Sequence, residues 1–219
     1  MPTEPRVPLS MLVLNLVPLA WVVTGGALVW FAEGGPARVL ITLAWLYLFP
    51  PLLCRLWITI AGRPEGELGE RQAGFLHWWA LSQLQVIYAR FPVLEELLRL
   101  VPGLYNLWLR LWGARVHLTV YWSPGVQVFD RYHLHIGRGV VIGGNARVGA
   151  HVIERREDGH FRLLLAPLHI EDGATLGMNA AAGPGVQIAA NATVPVGRLL
   201  RPGQHWPPAR RAPSASNAD

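Results

Sequence analysis

Hydrophobic and polar positions change pattern four times along this chain. Residues 9–31 carry no charge, and Asn15 is the most polar side chain among them. A run of about 20 apolar residues can cross the hydrocarbon core of a bilayer as a helix. It is too long for the apolar region of a signal peptide, and no small-residue cleavage site follows it. A second apolar run, Val39 to Ala61, is interrupted by Pro50-Pro51 and carries Arg55. The prolines imply a kink, and the arginine stem can snorkel to headgroups. Only AEGGPAR joins the two runs, which implies a helical hairpin with both ends on one side. Arg6, Arg55, Arg63 and Arg71 on that side face Arg38 in the loop, so the positive-inside rule puts both termini in the cytoplasm.

Residues 70–112 instead mix apolar side chains with Arg and Glu at helical spacing. Pro92 suits a helix start and Pro102-Gly103 a break. Trp78, Trp79, Trp108 and Trp112 fall here, and tryptophan favours the membrane interface. The pattern predicts two amphipathic helices on the bilayer surface. A helical subdomain packed against the rest of the protein is the alternative.

The remaining pattern has a period of six. IGRGVV starts at 136, IGGNAR at 142 and VGAHVI at 148, and a second series runs in step from Ile170 to Leu200. A fixed period marks a repeat architecture, and six residues is too short for a helical repeat. It fits one side of a triangular coil, with an aliphatic residue pointing inward and Gly, Asn or Asp at the corner. Three hexads make a coil of 18 residues. Val148 and Ile170 are 22 apart, which predicts four extra residues in a loop pushed out of the coil. About four coils bury little core on their own, which predicts assembly through the flat faces. The hexad also accounts for GRGVVIGG, whose glycine spacing does not fit a dinucleotide loop.

Composition sharpens this. The chain is 52% hydrophobic and 15% charged, with a mean hydropathy of +0.28, too apolar for an ordinary soluble domain. The net charge of +5 is carried by scattered arginines, with no basic stripe for nucleic acid. The lone cysteine, Cys54, excludes an intrachain disulfide and a multi-cysteine metal site.

The stretches IGRGVVIGGNARVGAHVIE, PLHIEDGATLGMNAAAGPGVQIAANATV and the HWPPAR tail resemble the hexapeptide-repeat acyltransferases. The likeness covers roughly residues 113–211. It is strongest to the maltose and galactoside O-acetyltransferases and to the terminal domains of polylysine-synthetase-type proteins. His151 falls on that family's catalytic histidine, Gly183-Pro184-Gly185-Val186 on its Pro-Gly-Val hexad, and Pro208-Ala209-Arg210 on its tail. The resemblance implies left-handed winding, a homotrimer, and direct transfer of an acyl group, acetyl above all, from acyl-CoA. His151 would be the general base, with Glu154 or Glu157 orienting its ring. It implies no tightly bound cofactor and no metal, with acetyl-CoA or another acyl-CoA as cosubstrate. Gly177, Ala181 and Gly183 would line the pantetheine arm, and Arg198, Arg201 and Arg210 would reach the phosphates.

Asp130, His133, His135 and Asn145 are candidates for contacting the acceptor. The alternation of His133 and His135 with Leu134 and Ile136 predicts that both face outward, where plain surface residues are the simpler reading and a place in a neighbouring subunit's cleft the other. His160 and His169 read as polar loop residues. The fold expected is an N-terminal α region of two transmembrane helices plus interfacial helices, followed by an all-β left-handed parallel β-helix. Its parts would be a transmembrane hairpin (1–63), interfacial amphipathic helices (64–112), the β-helix acyltransferase domain (113–206) and a tail disordered at its end (207–219). Such a protein would sit in a bacterial inner (cytoplasmic) membrane with the β-domain on the cytoplasmic side. Its partners would be the lipid bilayer, a homotrimer, and a small-molecule, lipid-linked or glycan acceptor, without nucleic acid. A zinc enzyme like the γ-carbonic anhydrases and a non-enzymatic membrane scaffold are the rival readings. The first would need three convergent histidines.

Overall fold

The computed structural model describes residues 9–157 and 159–207. Its first helices are α1 (Leu9–Leu14), α2 (Val17–Phe31), α3 (Gly35–Tyr47) and α4 (Phe49–Ala61). A turn at Asn15-Leu16 separates α1 from α2, and together Leu9–Phe31 is long and apolar enough to cross a membrane. Only 6% of that span's most apolar window is buried inside the protein. Helices α2 and α3 pack through Gly25, where an added Cβ would lie 2.4 Å from the Trp45 indole nitrogen. Trp45 stacks between Trp21 and Phe49 and donates its N–H to the Trp21 carbonyl.

The second apolar run is not one straight span. Helices α3 and α4 meet at a 40° bend at Leu48. Pro50 and Pro51, in the first turn of α4, lack the N–H groups that would continue the ladder from α3. Each piece has 13 residues, about 20 Å of helix, short of the hydrocarbon thickness. The expectation of two transmembrane helices is therefore corrected to one helix of sufficient length and a bent pair.

The interfacial helices are corrected as well. Helices α5 (Ala73–Arg90) and α7 (Leu104–Leu111) turn aromatic faces into the protein, and α6 (Val93–Arg99) between them buries Glu95 and Leu98. Trp78, Trp108 and Trp112 are all at most 3% exposed, with only Trp79 half-buried. Two of the three buried indoles find polar partners inside the molecule: Trp78 donates to Asp130 and Trp108 to the Tyr47 carbonyl. A buried N–H with a partner has no need of wet headgroups. These helices pack on the β-region, as the alternative reading had it.

Gly113, with φ of 100°, turns the chain from α7 into the first strand, Arg115–Val116. Beyond it, strands of two or three residues visit three parallel sheets in rotation. One sheet stacks Arg115–Val116, Leu134–Ile136, Leu168–Ile170, Gln187–Ile188 and His205–Trp206. The second stacks Tyr121–Trp122, Val141–Ile142, Thr175–Leu176 and Thr193–Val194. The third stacks Gln127–Val128, Arg147–Val148, Ala181–Ala182 and Leu199–Leu200. The hexad residues Ile136, Ile142, Val148, Ile170, Leu176, Ala182, Ile188, Val194 and Leu200 are all buried, each against its counterpart one coil away.

The expectation of an all-β left-handed parallel β-helix is corrected here too. Strands this short form separate sheets joined by turns and do not merge into one clearly closed helix. The β-region is also not self-contained, because Gly66–Gly69, from between α4 and α5, pairs antiparallel with Phe161–Leu165. That strand in turn pairs with His151–Arg155, giving a three-stranded antiparallel sheet on the outside of the coils.

The interruption is larger than the spacing alone implied. Ile136 pairs with Ile170, 34 residues on, whereas Ile170 pairs with Ile188, 18 on; the excess is 16 residues. Those 16 build the hairpin that begins at His151. The first coil is also irregular: Val116 pairs with Ile136 at a spacing of 20, so two extra residues enter. A short 3₁₀ turn, Arg131–His133, lies in that coil, and both irregularities fall at the corner between the third sheet and the first.

Candidate active site

Asp130 follows the strand Gln127–Val128, and Ala150 follows its neighbour Arg147–Val148 one coil later. At this corner Asp130 adopts the left-handed conformation, φ 51°, which Asp tolerates better than most residues. The turn aims its carboxylate along the stack rather than into solvent. Oδ2 accepts the Ala150 N–H at 3.1 Å and lies 2.5 Å from Nδ1 of His151; Oδ1 accepts the Trp78 indole N–H at 3.0 Å. The Asp130 side chain is 1% exposed, the His151 side chain 28%.

The ring of His151 is held on two further sides. Trp78, from α5, lies 4.8 Å away between ring centres, and Phe129 stands edge-on at 6.4 Å. Trp78 packs with Phe75, Ala150, Leu163 and Leu165, so helix, coil and hairpin converge on this corner. Nδ1 is committed to Asp130, whereas Nε2 has no hydrogen bond among the described residues.

Burial pulls the His151 imidazole down, but the hydrogen bond and charge of Asp130 outweigh it and leave the ring above its ordinary value. For Asp130 burial acts upward. The His151 hydrogen bond and charge, the Trp78 N–H and the nearby His133 overcome it and hold the carboxyl below the usual carboxylate range. Both directions describe a buried carboxylate tuning a partly exposed imidazole.

The carboxylate that reaches His151 is thus Asp130, placed by the sequence among the acceptor contacts. Glu154 lies three residues along a strand, and odd spacing points it to the opposite face. Its carboxylate pairs with Arg162 at 2.6 Å, and Arg162 also meets Glu67 at 3.2 Å. Glu157 lies beyond the strand, where it lines a charged surface cleft with Arg155 and Arg156.

The expectation that His133 faces outward is corrected. The 3₁₀ turn shifts the alternation, and His133 is fully buried with Nε2 3.0 Å from the Pro64 carbonyl. Burial lowers its pKa to about 4. His135 does face out of the first sheet, half-buried and edge-on to His169 at 4.5 Å. Asn145 is a corner residue with φ of 55°, at the far end of the strand from His151. His160 meets Glu70 at 2.6 Å and ties the hairpin to the turn after Gly66–Gly69.

The candidate cofactor residues divide. Gly183 follows the strand Ala181–Ala182, one coil beyond the turn that carries His151, and Ala181 pairs with Arg147 at the other end of that strand. Gly177 lies at the preceding corner, where an added Cβ would meet the Val194 carbonyl oxygen at 2.6 Å. Arg198 lies over the Trp206 ring at 5.4 Å, and Arg201 is exposed in a turn. Arg210, the tail motif Pro208-Ala209-Arg210 and Arg6 lie outside the described residues. Among the described residues no three His, Cys, Asp or Glu side chains are grouped as a metal site requires.

Two contributors are read in the sequence in other roles, Asp130 as an acceptor contact and Trp78 as a membrane-interface residue. Asp130 as the partner of His151 would follow from aligning the coils, but the 20-residue first coil hides that register. Trp78 carries no signal of this role, because its contact depends on how α5 docks.

No protein-family profile matches the chain, and no curated protein sequence matches it. Among solved structures the chain is similar to serine acetyltransferase isoform 3 in complex with cysteine from Entamoeba histolytica. The identity is 11%, the match covers 92% of this chain and 80% of that one, and the TM-score is 0.26, too loose an overlap to transfer fold or chemistry.

Proposed function

We propose that this chain is an acyltransferase that moves an acyl group from acyl-CoA to a hydroxyl or amine, with His151 as general base. One observation carries the reading: a buried carboxylate, Asp130, fixes Nδ1 of a partly exposed imidazole and leaves Nε2 without a hydrogen-bond partner among the described residues. That arrangement sets the tautomer with Nδ1–H donating to Asp130 and a basic Nε2. Nε2 would take the acceptor proton as the acceptor oxygen or nitrogen attacks the thioester carbonyl. The tetrahedral adduct would then collapse, break the C–S bond and release the CoA thiolate, which recovers the proton from His151. Asp130 is a positioning residue that also stabilises the imidazolium while it exists.

The helix Leu9–Phe31, apolar and almost wholly unburied, supports attachment to a membrane. A lipid-linked or glycan acceptor is consistent with that setting, and assembly as a homotrimer remains part of the reading. The test is thiol release from acetyl-CoA by the full-length protein in the presence of membrane lipid and glycan extracts, with mass spectrometry of the acylated product. His151→Ala should abolish product. Acyl transfer that survives this substitution would sink the reading. A protein that neither binds CoA nor releases thiol would be a non-enzymatic binding domain.

A further inference from the structure

Where α4 and α7 lead into the first coil, five arginines surround one cavity of about 810 Å³: Arg55, Arg63, Arg110, Arg115 and Arg138. They come from α4, the segment after it, α7 and two neighbouring coils, so folding gathers them from positions far apart in sequence. Among the described residues none of the five has a carboxylate within 4.0 Å; the arginine ion pairs found there belong to Arg99, Arg131 and Arg162. One acidic residue, Asp172, lines the cavity, and its Oδ1 already accepts the Arg138 backbone N–H at 2.6 Å. Arg55, Arg63 and Arg110 donate to the backbone carbonyls of Arg110, Gly113 and Val116, which orients them, but carbonyls do not neutralise charge, and an anion bound in the concavity would offset the repulsion of the cluster. Their planar forks suit phosphate oxygens.

Arg63 also belongs to a second cavity of about 1010 Å³, between α1, α4, α5 and the strand Gly66–Gly69. Its walls are mostly apolar, with Leu9, Val13, Leu14, Trp57 and Leu68 among them, and its polar groups besides Arg63 include Glu65 and His77. Basic and apolar cavities thus meet at one half-buried arginine, and the first turns of the apolar span Leu9–Phe31 supply part of the apolar wall. That juxtaposition is the shape of an amphiphile.

We propose that the two cavities form a single binding site for a phosphate-headed lipid, its phosphate among the five arginines and one hydrocarbon chain in the apolar cavity. The apolar cavity shares Leu68 with the cluster that packs under Trp78, but neither His151 nor Asp130 lines either cavity, and the proposal does not depend on acyl transfer.

The test is lipid retention by the full-length protein in a neutral, sugar-headed detergent, read by native mass spectrometry. The probes are dioleoyl phosphatidic acid, dioleoyl phosphatidylcholine and inorganic phosphate. Each arginine near an anionic lipid headgroup is worth roughly a fivefold change in affinity, so phosphatidic acid should be retained at least about tenfold better than phosphatidylcholine. The triple variant Arg63→Gln, Arg115→Gln, Arg138→Gln should lose that preference, while the matching lysine triple keeps most of it and shows that the fold survives. Filling the apolar cavity with Ala73→Phe should weaken retention of the two-chain lipid with the arginines intact. Equal retention of the two lipids, or an unchanged preference in the glutamine triple, would overturn the proposal. Displacement of phosphatidic acid by an equal concentration of inorganic phosphate would overturn the lipid assignment.

Discussion

Asp130 and His151 stand 21 residues apart in sequence and one coil apart in space, joined Oδ2 to Nδ1 at 2.5 Å. The short distance comes from coil stacking: the strands that precede them pair residue for residue, Gln127 with Arg147 and Val128 with Val148. The carboxylate is buried and the imidazole is not, so the pair is anchored from beneath. Substituting Asp130→Asn keeps the shape and removes the charge. A neutral amide in place of the carboxylate can also trap the ring in the wrong tautomer. Under the proposed mechanism acyl transfer should fall by about 10²- to 10⁴-fold.

The same substitution makes a pH prediction with a definite sign. A general base must be neutral to act, and Asp130 holds the His151 ring above its ordinary value. Activity of the native protein should therefore rise with pH through that raised value. In Asp130→Asn the acid limb of the kcat/KM profile should move to lower pH, because the charge that favoured the imidazolium is gone. A limb that stays in place would mean that another group sets it.

Glu154→Gln should leave both the rate and its pH profile unchanged. The Glu154 carboxylate is half exposed and bound to Arg162 on the outer side of the hairpin. A large loss of activity in this variant, measured beside Asp130→Asn, would restore Glu154 as the orienting residue and exclude Asp130 from that role.

The contrast between Asp130 and Glu154 shows how far the sequence is legible. The hexads give the inward positions, because one residue in six must be apolar to stack on its neighbour. Asn145, Asn179 and Asn191, all at φ of 55–57°, mark corners whose tight backbone geometry polar residues tolerate. His151 stands out because the repeat stops there. What stays hidden depends on insertions and docking. Two extra residues in the first coil move His133 from the expected outer face into the core, and they obscure that Asp130 and Ala150 share a corner. Trp78 and the strand Gly66–Gly69 reach the site from the helical half, and no local periodicity announces such contacts.

Gly177→Ala separates a packing role from a ligand role. An added methyl would lie 2.6 Å from the Val194 carbonyl oxygen and 2.7 Å from the Pro195 carbonyl carbon, both backbone atoms of the next coil. The coils must part to admit it, at a cost of about 1–3 kcal/mol. Thermal unfolding should shift accordingly, with or without acyl-CoA. A variant of native stability and reduced CoA affinity would place Gly177 in the cofactor site instead.

His133 should make stability fall in mild acid. Burial favours its neutral form in the folded state and lowers its pKa to about 4, against about 6.5 in the unfolded chain. A depressed histidine is at its best above the unfolded value, and stability is lost as pH falls from about 6.5 towards about 4. The full difference amounts to about 3 kcal/mol by pH 4. His133→Gln removes the titration while leaving an amide to donate to the Pro64 carbonyl, so its stability should vary less over that window. Parallel curves of unfolding free energy against pH for the two proteins would rule His133 out as the sensor.

The residue after Asp130 ties the corner to the helices. Arg131 is 1% exposed and donates through Nε and Nη2 to Glu95 Oε1, while Glu95 Oε2 accepts from Arg99 at 3.2 Å. Gln85 Oε1 accepts the Arg131 backbone N–H at 2.9 Å, so α5 and α6 both grip this turn. Tyr88, Trp108 and Trp112 face the guanidinium at 5.1–5.6 Å. Breaking a buried pair leaves an uncompensated charge, so Glu95→Gln should cost about 3–5 kcal/mol. Removing both charges with Glu95→Gln and Arg131→Met should cost less than the two single losses added together, because the second change removes the charge that the first strands. A double-mutant cycle by chemical denaturation measures the difference. Strict additivity would show that Arg131 and Glu95 contribute to stability independently and that their ion pair does not hold the turn bearing Asp130.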